Sequence, residues 1–281
     1  ALPREEGLQR TVIRAMREAV ENGGKRIRPI LLFETCRCFA ARRGETGWKE
    51  EAAPFLAALE MIHSFSLVHD DLPCMDNDTL RRGKPTTWYV YGEAMGTLAG
   101  DGLVLEALTL AGKAVAASKH PERAARALAI LGEKSGVGGM LGGQSVDVEK
   151  TGEHLDATTL DFIYRLKTGA LLEAAFMMGA ALGGASEAEI SCAEQIGRAV
   201  GLAFQIQDDI LDETATEAEL GKPLHSDEKN QKTTYVSLFG LEAAREAVRQ
   251  QSEAAEQRLR EFPGETETLA ALIAYLTDRR F

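Results

Sequence analysis

Apolar residues recur at a helical spacing along almost the whole chain, and this pattern constrains the fold more than any other feature. They stand three or four residues apart, whereas few segments alternate apolar and polar residues as a half-buried β-strand does. The breaks coincide with Gly- and Pro-containing turns such as Asn22-Gly23-Gly24 and Pro263-Gly264. The pattern predicts an all-α protein with helices at residues 5–21, 26–43, 50–72, 91–116, 122–143, 157–183, 187–213, 233–259 and 265–279.

The composition indicates one globular domain. Apolar residues make up 44 % of the 281 residues, which is enough for a sizeable core, and no linker is long or rich in Ser or Pro. We therefore predict a single domain over residues 1–281. The net charge of −11 repels phosphate, which disfavours nucleic acid and anionic lipid as partners. A small anionic substrate remains compatible if a metal or a local basic cluster holds it.

Neither the cysteines nor the apolar segments indicate export or membrane insertion. The four cysteines form no C-x-x-C pair, so a disulfide framework or zinc ribbon is not indicated. The longest charge-free stretches, such as residues 174–186, are shorter than the about 20 residues that a membrane-spanning helix needs. The first ten residues are mixed and charged, unlike a signal peptide. We expect a cytoplasmic protein without membrane contacts.

Three aspartates share one arc of a predicted helix. In the segment GLAFQIQDDILD, Asp208, Asp209 and Asp212 lie at about 0°, 100° and 40° around the helix axis. Carboxylates so close on one face repel one another and destabilise the helix. A hard divalent cation with oxygen ligands would offset that repulsion. The arrangement therefore points to a metal site.

A second acidic cluster follows another strongly apolar run. Asp70, Asp71 and Asp76 flank Pro73 in the segment DDLPCMD. On an unbroken helix Asp76 would lie off the face of Asp70, but Pro73 prevents an unbroken helix. A bulge around Pro73 can return Asp76 to the side of Asp70. Either cluster alone could be a helix end or a solvated acidic face, but two such clusters after apolar runs favour metal binding.

Basic residues stand near both acidic clusters. Mg²⁺ takes one or two carboxylates together with substrate phosphates, so two facing clusters suggest a diphosphate bridged by several ions. Arg81 and Arg82 follow the first cluster, and the segment 24–29 opens a predicted helix, where backbone N–H groups favour anions. Taken singly, each Lys or Arg is an ordinary surface charge, and His63 and His69 are core histidines by default.

Seven segments, in this order, carry a resemblance to a known family. They are GGKRIRP (23–29), SLVHDDLPCMDNDTLRRGKPT (66–86), GEAMGTLAGDGL (92–103), GMLGGQSVD (139–147), KTGALLEAA (167–175), GLAFQIQDDILD (201–212) and GKPLHSDEKNQKTTY (221–235). The series resembles the short-chain trans-isoprenyl diphosphate synthases, and within them the bacterial farnesyl type. This resemblance covers nearly the whole chain. It implies an all-α bundle around a deep central cavity, the isoprenoid synthase fold, and a homodimer.

The resemblance also implies a role for each candidate site residue. It implies about three Mg²⁺ ions, with Mn²⁺ as an alternative, bound by Asp70, Asp71, Asp76, Asp208, Asp209 and Asp212. The residues that match the allylic substrate site are Arg81, Lys167, Thr168, Gln205, Lys222 and Lys232. The residues that match the isopentenyl diphosphate site are Lys25, Arg28, His63 and Arg82. His63 becomes a ligand contact only through this resemblance.

The implied reaction is the head-to-tail condensation of isopentenyl diphosphate with dimethylallyl and then geranyl diphosphate, which gives farnesyl diphosphate and diphosphate. The implied catalytic residues are Asp70, Asp71, Asp76, Arg81, Lys167 and Asp208. A geranylgeranyl diphosphate synthase of the same family is the main alternative. A class I terpene cyclase would normally replace the DDILD motif, and a non-catalytic prenyltransferase subunit would lose the aspartates. A structural helical protein with acidic patches is the remaining alternative.

Two residues before the first acidic cluster are predicted to set product length. Phe65 and Ser66 lie about 7.5 Å and 6 Å from Asp70 along a helix axis, beneath the predicted metal site. In the resembling family these positions form the floor of the cavity, although Phe65 could also be plain core packing. Two departures from the family pattern are Trp88, where relatives commonly carry polar residues, and His225, where the family often has Gly.

Overall fold

The computed structural model describes residues 1–214 and 233–277, which form an almost wholly helical molecule. The α-helices are α1 (Arg10–Glu21), α2 (Ile27–Arg43), α3 (Trp48–Asp70), α4 (Thr87–Tyr91), α5 (Glu93–Ala117), α6 (Pro121–Ser135), α7 (Met140–Glu149), α8 (Ala157–Ile163), α9 (Ala170–Leu182), α10 (Glu187–Thr214), α11 (Tyr235–Phe239), α12 (Leu241–Leu259) and α13 (Glu267–Thr277). A π-helical turn, Tyr164–Gly169, joins α8 to α9. The strands β1 (Leu80–Arg81) and β2 (Lys84–Pro85) form an antiparallel hairpin. Lys222, His225 and Lys232 lie outside the described residues.

The all-α prediction is confirmed, but three predicted helices are interrupted. The helix predicted at 122–143 breaks between α6 and α7, where the backbone at Gly139 approaches Lys134 so closely that a Cβ would clash with the lysine backbone. The helix predicted at 233–259 is split at Gly240, whose φ of 84° favours glycine. The one predicted at 157–183 contains the π-helical turn. Each interruption depends on a local backbone geometry that apolar periodicity does not report.

Helix α9 is the centre of the bundle. Every one of its residues is buried, and α2, α6 and α10 pack around it. A second apolar cluster joins α8, the π-helical turn, α10 and α12, and includes Tyr164, Ile206 and Ile210. Because α10 belongs to both clusters, the helix that carries the second aspartate group is fixed along most of its length.

One charged side chain lies within this apolar centre. Glu173 on α9 is 1 % exposed, and its carboxylate pairs with Lys134 from α6. Arg198 on α10 lies 3.5 Å from the same carboxylate, and Lys134 also reaches Glu194 at 2.6 Å. A buried carboxylate is tolerated when such partners compensate its charge. The network joins three helices at one level of the bundle.

Helices α3 and α5 pack along each other beside this centre. By length and mean hydropathy alone either helix could cross a membrane, although charged residues such as Glu60 and Asp101 interrupt their apolar runs. Half of the apolar stretch of α3 and a third of that of α5 are buried within the bundle. Core helices of globular proteins meet the same criterion of length and hydropathy, so meeting it is weak evidence for membrane insertion.

Gly179 permits the closest approach between α9 and α2. A Cβ added at Gly179 would lie 2.5 Å from the carbonyl oxygen of Leu32 and 2.7 Å from Cβ of Thr35. Both neighbours belong to a helix whose backbone cannot move without disturbing the core. Glycine is therefore required here by packing, because an α-helix itself would favour alanine.

We predict that Gly179→Ala destabilises the protein by about 1–3 kcal/mol through overpacking. The matched control is Gly132→Ala in α6, where an added Cβ meets no described atom within 4 Å. That change should be neutral or stabilising by up to about 1 kcal/mol, because alanine is the better helix former. Calorimetric melting of both variants checks this. Equal melting temperatures for the two variants would show that the contact between α2 and α9 is not tight.

Candidate active site

One residue from each acidic cluster lines a cavity of about 390 Å³. Asp70, at the end of α3, and Asp208, in the last turns of α10, both line it. The other polar side chains in its wall are Arg28, His63, Ser66, His69, Arg81, Gln144, Lys167, Thr168 and Gln205. Its apolar wall includes Phe65, Leu171 and Phe204. The chain thus brings together carboxylates that lie far apart in sequence, as the resemblance implied.

The turn after α3 returns Asp76 to the side of Asp70. Helix α3 ends at Asp70, three residues before Pro73, and the N–H of Asp76 donates to the carbonyl oxygen of Asp70 at 2.8 Å. Asn77 completes the reversal with a φ of 56°. This is the bulge that the position of Pro73 predicts, and it groups three carboxylates at one helix end.

Two of these carboxylates already have partners in the protein. Asp71 is buried, and its Oδ1 accepts from Nε and Nη2 of Arg81, each at 2.6 Å. Asp70 accepts from Nε2 of Gln144 at 2.8 Å. The other amide atom of Gln144, Oε1, is buried and has no hydrogen-bond partner among the described residues. An acceptor left over beside a carboxylate fits a cation or its water ligands.

The pKa of Asp70 is raised to about 6, chiefly by burial, while Lys167 and Arg81 lower it and the neighbouring charges of Asp76 and Asp71 raise it. Burial likewise raises the pKa of Asp71, although the hydrogen bond from Arg81 opposes this. The negative charge of the cluster is therefore incompletely compensated by the protein itself. A bound cation would relieve the mutual repulsion of the carboxylates.

The second cluster faces two directions. Asp208 lines the main cavity, whereas Asp209 is buried towards the π-helical turn and α11. Oδ2 of Asp209 accepts from the hydroxyl of Tyr164 at 2.6 Å and from the backbone N–H of Tyr235 at 2.8 Å. Asp212 is buried one turn further along α10. Asp209 therefore also joins α10 to the elements on either side of it.

The π-helical turn carries Lys167 and Thr168. Nζ of Lys167 lies 2.5 Å from Oδ2 of Asp147 on α7, and the hydroxyl of Thr168 donates to Oε1 of Gln205 at 2.8 Å. Burial alone would lower the pKa of Lys167, but Asp147 and the charges of Asp70 and Asp76 raise it above its usual value. The ammonium group stays charged. The turn also borders a smaller adjoining cavity of about 140 Å³, which Asp209 lines.

A second anion-binding region lies at the start of α2. Nη1 of Arg28 lies 3.3 Å from Nε2 of His63, and Nε of Arg28 is buried with no hydrogen-bond partner among the described residues. Burial lowers the pKa of Arg28 to about 10. Burial and then the charge of Arg28 also hold the pKa of His63 well below its usual value, so that His63 is neutral at pH 7. A buried guanidinium with an unused Nε–H beside a neutral histidine suits an anionic ligand.

The structure does not bring every predicted substrate residue to the cavity. Lys25 is exposed, and its Nζ lies 5.2 Å from the ring centroid of Tyr275 on α13. Arg82 is exposed too, and its Nη1 donates to the carbonyl oxygen of Gly23 at 2.6 Å. Among the predicted basic residues that the structure describes, Arg28, Arg81 and Lys167 line the cavity, whereas Lys25 and Arg82 do not.

Phe65 and Ser66 both line the cavity, as predicted. Ser66 donates its hydroxyl to the carbonyl oxygen of His63 at 2.9 Å, one turn back along α3. The ring of Phe65 meets that of His69 edge-on, with centroids 5.2 Å apart. His69 packs against Gly100 of α5 and lies 3.1 Å from the carbonyl oxygen of Thr97, so it has a packing role and also borders the cavity.

Three contact residues have no role in the sequence-based prediction. Gln144 and Asp147 stand three apart on α7, inside the quoted segment GMLGGQSVD, so helical spacing could have put both on one face. Tyr164 meets Asp209 across 45 positions of sequence, and no local pattern signals that contact. Long-range partners of this kind require the fold to be known.

Oxygen donors dominate the acidic side of the cavity, which is the ligand chemistry that Mg²⁺ prefers. Within residues 1–214 and 233–277, no three His, Cys, Asp or Glu side chains converge closely enough to hold an ion on their own. A divalent ion would therefore need further ligands, such as diphosphate oxygens and water. With the unpartnered Oε1 of Gln144, the donor set fits a magnesium–diphosphate complex.

Comparison with known proteins agrees with this geometry. The family model described as Polyprenyl synthetase matches residues 9–275. Farnesyl diphosphate synthase of Geobacillus stearothermophilus is 43 % identical over 249 residues, which cover 88 % of this chain and 81 % of that protein. The chloroplastic geranylgeranyl pyrophosphate synthase of Capsicum annuum is 42 % identical over 267 residues, which cover 94 % of this chain and 70 % of that protein.

Solved structures give the same result for the fold. An FPP/GFPP synthase from Zymomonas mobilis superposes with a TM-score of 0.85 at 34 % identity, covering 98 % of this chain and 91 % of that chain. A geranyltransferase from Legionella pneumophila superposes with a TM-score of 0.82 at 32 % identity, covering 96 % of this chain and 88 % of that chain. On the family match, the sequence identity and the shared fold together, the chain belongs to the polyprenyl synthetase family of prenyltransferases.

Proposed function

We propose that this enzyme condenses isopentenyl diphosphate with dimethylallyl and then geranyl diphosphate, giving farnesyl diphosphate and diphosphate. One observation carries the proposal: a single cavity has two anion-binding regions of different chemistry. Carboxylates line one region, and the other has a buried arginine beside a neutral histidine. Two diphosphates held in different ways beside a shared apolar space suit the joining of two prenyl groups.

The family generally depends on Mg²⁺, and the acidic region fits it. We propose that about three ions bind between the two clusters, with Asp70 and Asp208, which line the cavity, as ligands. The further proposed ligands are Asp71, Asp76, Asp209 and Asp212. When bound, the ions would act as Lewis acids that stabilise the negative charge of the departing diphosphate.

Basic and polar side chains would orient the allylic diphosphate. Arg81 and Lys167 reach the cavity as fixed cations, because Asp71 and Asp147 hold them in place. Fixed charges stabilise developing negative charge without the cost of reorienting during the reaction. Thr168 and Gln205 add hydrogen-bonding groups at the same wall. Lys222 and Lys232 stay as predicted allylic contacts.

Isopentenyl diphosphate would bind at the start of α2. Arg28 offers its unpartnered Nε–H, and His63 presents a neutral ring to the same space. Lys25 and Arg82 stay as proposed contacts, which requires their side chains to leave Tyr275 and Gly23. Binding at this region would not require a metal, because its charge is already positive.

The reaction would break the allylic C–O bond, form a C–C bond to the double bond of isopentenyl diphosphate, and release one proton. Among the described side chains at the cavity, none is an evident base, and we assign the proton to the released diphosphate. The side chains of Phe65, Leu171 and Phe204 line the cavity and would keep water away from the allylic cation.

We further propose that the enzyme is a homodimer formed through α5. Leu98 and Leu105 stand two turns apart on α5, and Leu108 follows on the next turn of the same face. All three are exposed in the single chain, with Leu105 at 65 %. Exposed apolar surface of this extent is typical of a protein–protein interface. In a symmetric dimer, α5 of one subunit would bury this face against α5 of the other.

Removing a carboxylate from either cluster should abolish condensation. Asp70→Asn or Asp208→Asn is expected to lower turnover about a thousandfold or more, equal to about 4 kcal/mol of barrier. Products from labelled isopentenyl diphosphate, separated by chromatography, measure this. Asp161→Asn, an exposed change on α8, is the control. More than about a tenth of wild-type turnover in both variants would contradict the metal assignment, and no condensed product from wild type would contradict the function.

Two changes beneath the acidic region should move product length in opposite directions. Phe65→Ala opens space along α3 and is expected to give C20 or longer products, whereas Ser66→Phe fills it and should favour C10. Phe65→Ala can also cost about 3–5 kcal/mol of stability if the space stays empty. Phe162→Ala, whose side chain is exposed on α8, is the control. A folded, active Phe65→Ala enzyme that still stops at C15 would contradict the assignment. Wild-type C20 product would instead favour a geranylgeranyl diphosphate synthase.

A charge on the α5 face should separate the subunits. Leu105→Glu puts a carboxylate into the proposed interface, where it would be desolvated without a partner, so the dimer should dissociate to monomers. Sedimentation equilibrium measures the mass, and Leu8→Glu, at a fully exposed N-terminal position, is the control. A monomeric wild type, or a Leu105→Glu variant as dimeric as wild type, would exclude this interface.

A further inference from the structure

The hairpin after the first acidic cluster carries two neighbouring arginines. Its two central residues, Arg82 and Gly83, have φ values of 54° and 73°, which is the signature of a type I′ turn. Arg81 pairs with Lys84 in the ladder between β1 and β2. Arg81 ends β1 whereas Arg82 belongs to the turn, and the two side chains have different partners.

The two arginine side chains contact different parts of the chain, and only that of Arg81 lines the cavity. Arg81 binds Asp71 at 2.6 Å and lines the cavity beside the acidic clusters. Arg82 donates to the carbonyl oxygen of Gly23 at 2.6 Å, in the loop that leads into α2 and Arg28. A shift of the hairpin would therefore move both arginines together.

A hairpin of two residues per strand has little stability of its own, so its position depends on how its base is held. One carbonyl oxygen fixes that base. The carbonyl oxygen of Asp78 accepts from Nε1–H of Trp88 at 2.8 Å and from the hydroxyl of Thr86 at 2.8 Å. The backbone N–H of Thr86 also donates to the carbonyl oxygen of Thr79 at 3.0 Å.

Trp88 is itself fixed to a rigid part of the bundle. Trp88 lies on α4 and packs closely against Gly96 of α5. A Cβ added at Gly96 would lie 3.0 Å from Cβ of Trp88 and 3.1 Å from Cδ2 of Leu72. The ring of the next residue, Tyr89, meets the indole edge-on and is exposed. The indole thus connects the packed α5 helix with the base of the hairpin, in addition to the contacts that Arg81 and Arg82 make further along it.

We propose that Trp88 is a positioning residue that sets the hairpin, and through it the two arginines that serve both diphosphate sites. The proposal rests on the proposed function for the identity of those sites. It does not make Trp88 a substrate contact, because Trp88 acts through the carbonyl oxygen of Asp78. Loss of the indole donor should therefore weaken both substrates, whereas loss of Arg81 or Arg82 alone would weaken chiefly one.

The test compares two tryptophan variants. Trp88→Phe keeps an aromatic ring and removes the N–H donor, and Trp48→Phe is the matched control, since Trp48 packs against Phe33 with ring centroids 4.9 Å apart at the start of α3. In the protein without ligands, amide exchange over residues 78–86 should be several-fold faster in Trp88→Phe than in Trp48→Phe. The KM values of both diphosphate substrates should rise about three- to tenfold, with kcat changed less.

Two further variants separate the hydrogen bond from simple packing. Thr86→Val removes the second donor to the same oxygen and should give the same pattern of exchange and KM. Trp88→His keeps a ring N–H. On a logarithmic scale, it should reverse at least half of the rise in KM that Trp88→Phe causes. Failure of Trp88→His to recover any affinity would assign the effect to ring volume and overturn the proposal.

The outcomes also separate this proposal from the proposed function. The positioning role alone would be overturned if Trp88→Phe makes prenyl product and changes neither the amide exchange at residues 78–86 nor the two KM values. A wild-type protein that makes no condensed product would overturn the proposed function, while the exchange measurement would still report whether Trp88 holds the hairpin.

Discussion

Repulsion between carboxylates in a partly buried space is the constraint on which the site depends. At the end of α3 and along the last turns of α10, aspartates sit closer together than their charges favour, and burial raises the pKa of Asp70 to about 6. The protein offsets only part of this through Arg81, Lys167 and Gln144. What remains is a surplus of negative charge, which the proposed magnesium ions and diphosphate would offset.

Holding such a region requires a rigid surround, and the bundle supplies it. Helix α9 is wholly buried and gives α2, α6 and α10 a common packing surface, with Gly179 and Gly197 allowing close backbone approach. Glu173 pairs there with Lys134. Since α10 packs in both apolar clusters, its last turns hold Asp208 at the cavity that Asp70 also lines. The energy of packing thus maintains an arrangement that electrostatics alone would oppose.

The sequence predicts the local features of this arrangement well. Helical periodicity indicates the all-α class, and Pro73 indicates a break in the helix that can return Asp76 towards Asp70. The resemblance supplies the family and the cavity. The π-helical turn, the break at Gly139 and the contact of Tyr164 with Asp209 could not be predicted, because each depends on tertiary neighbours rather than on spacing. The outward position of Lys25 is likewise decided by Tyr275, far along the chain.

The π-helical turn at Tyr164–Gly169 has a consequence for how this protein can change in evolution. This turn contains one residue more than an α-helical turn does. The extra residue shifts every later side chain by about 100° around the helix axis. A single deletion there would rotate α9 by that amount, exposing part of its apolar surface and pulling Glu173 away from Lys134. The number of residues in this segment is therefore constrained by the packing of α9, in addition to the constraint that the site places on the identity of Lys167 and Thr168.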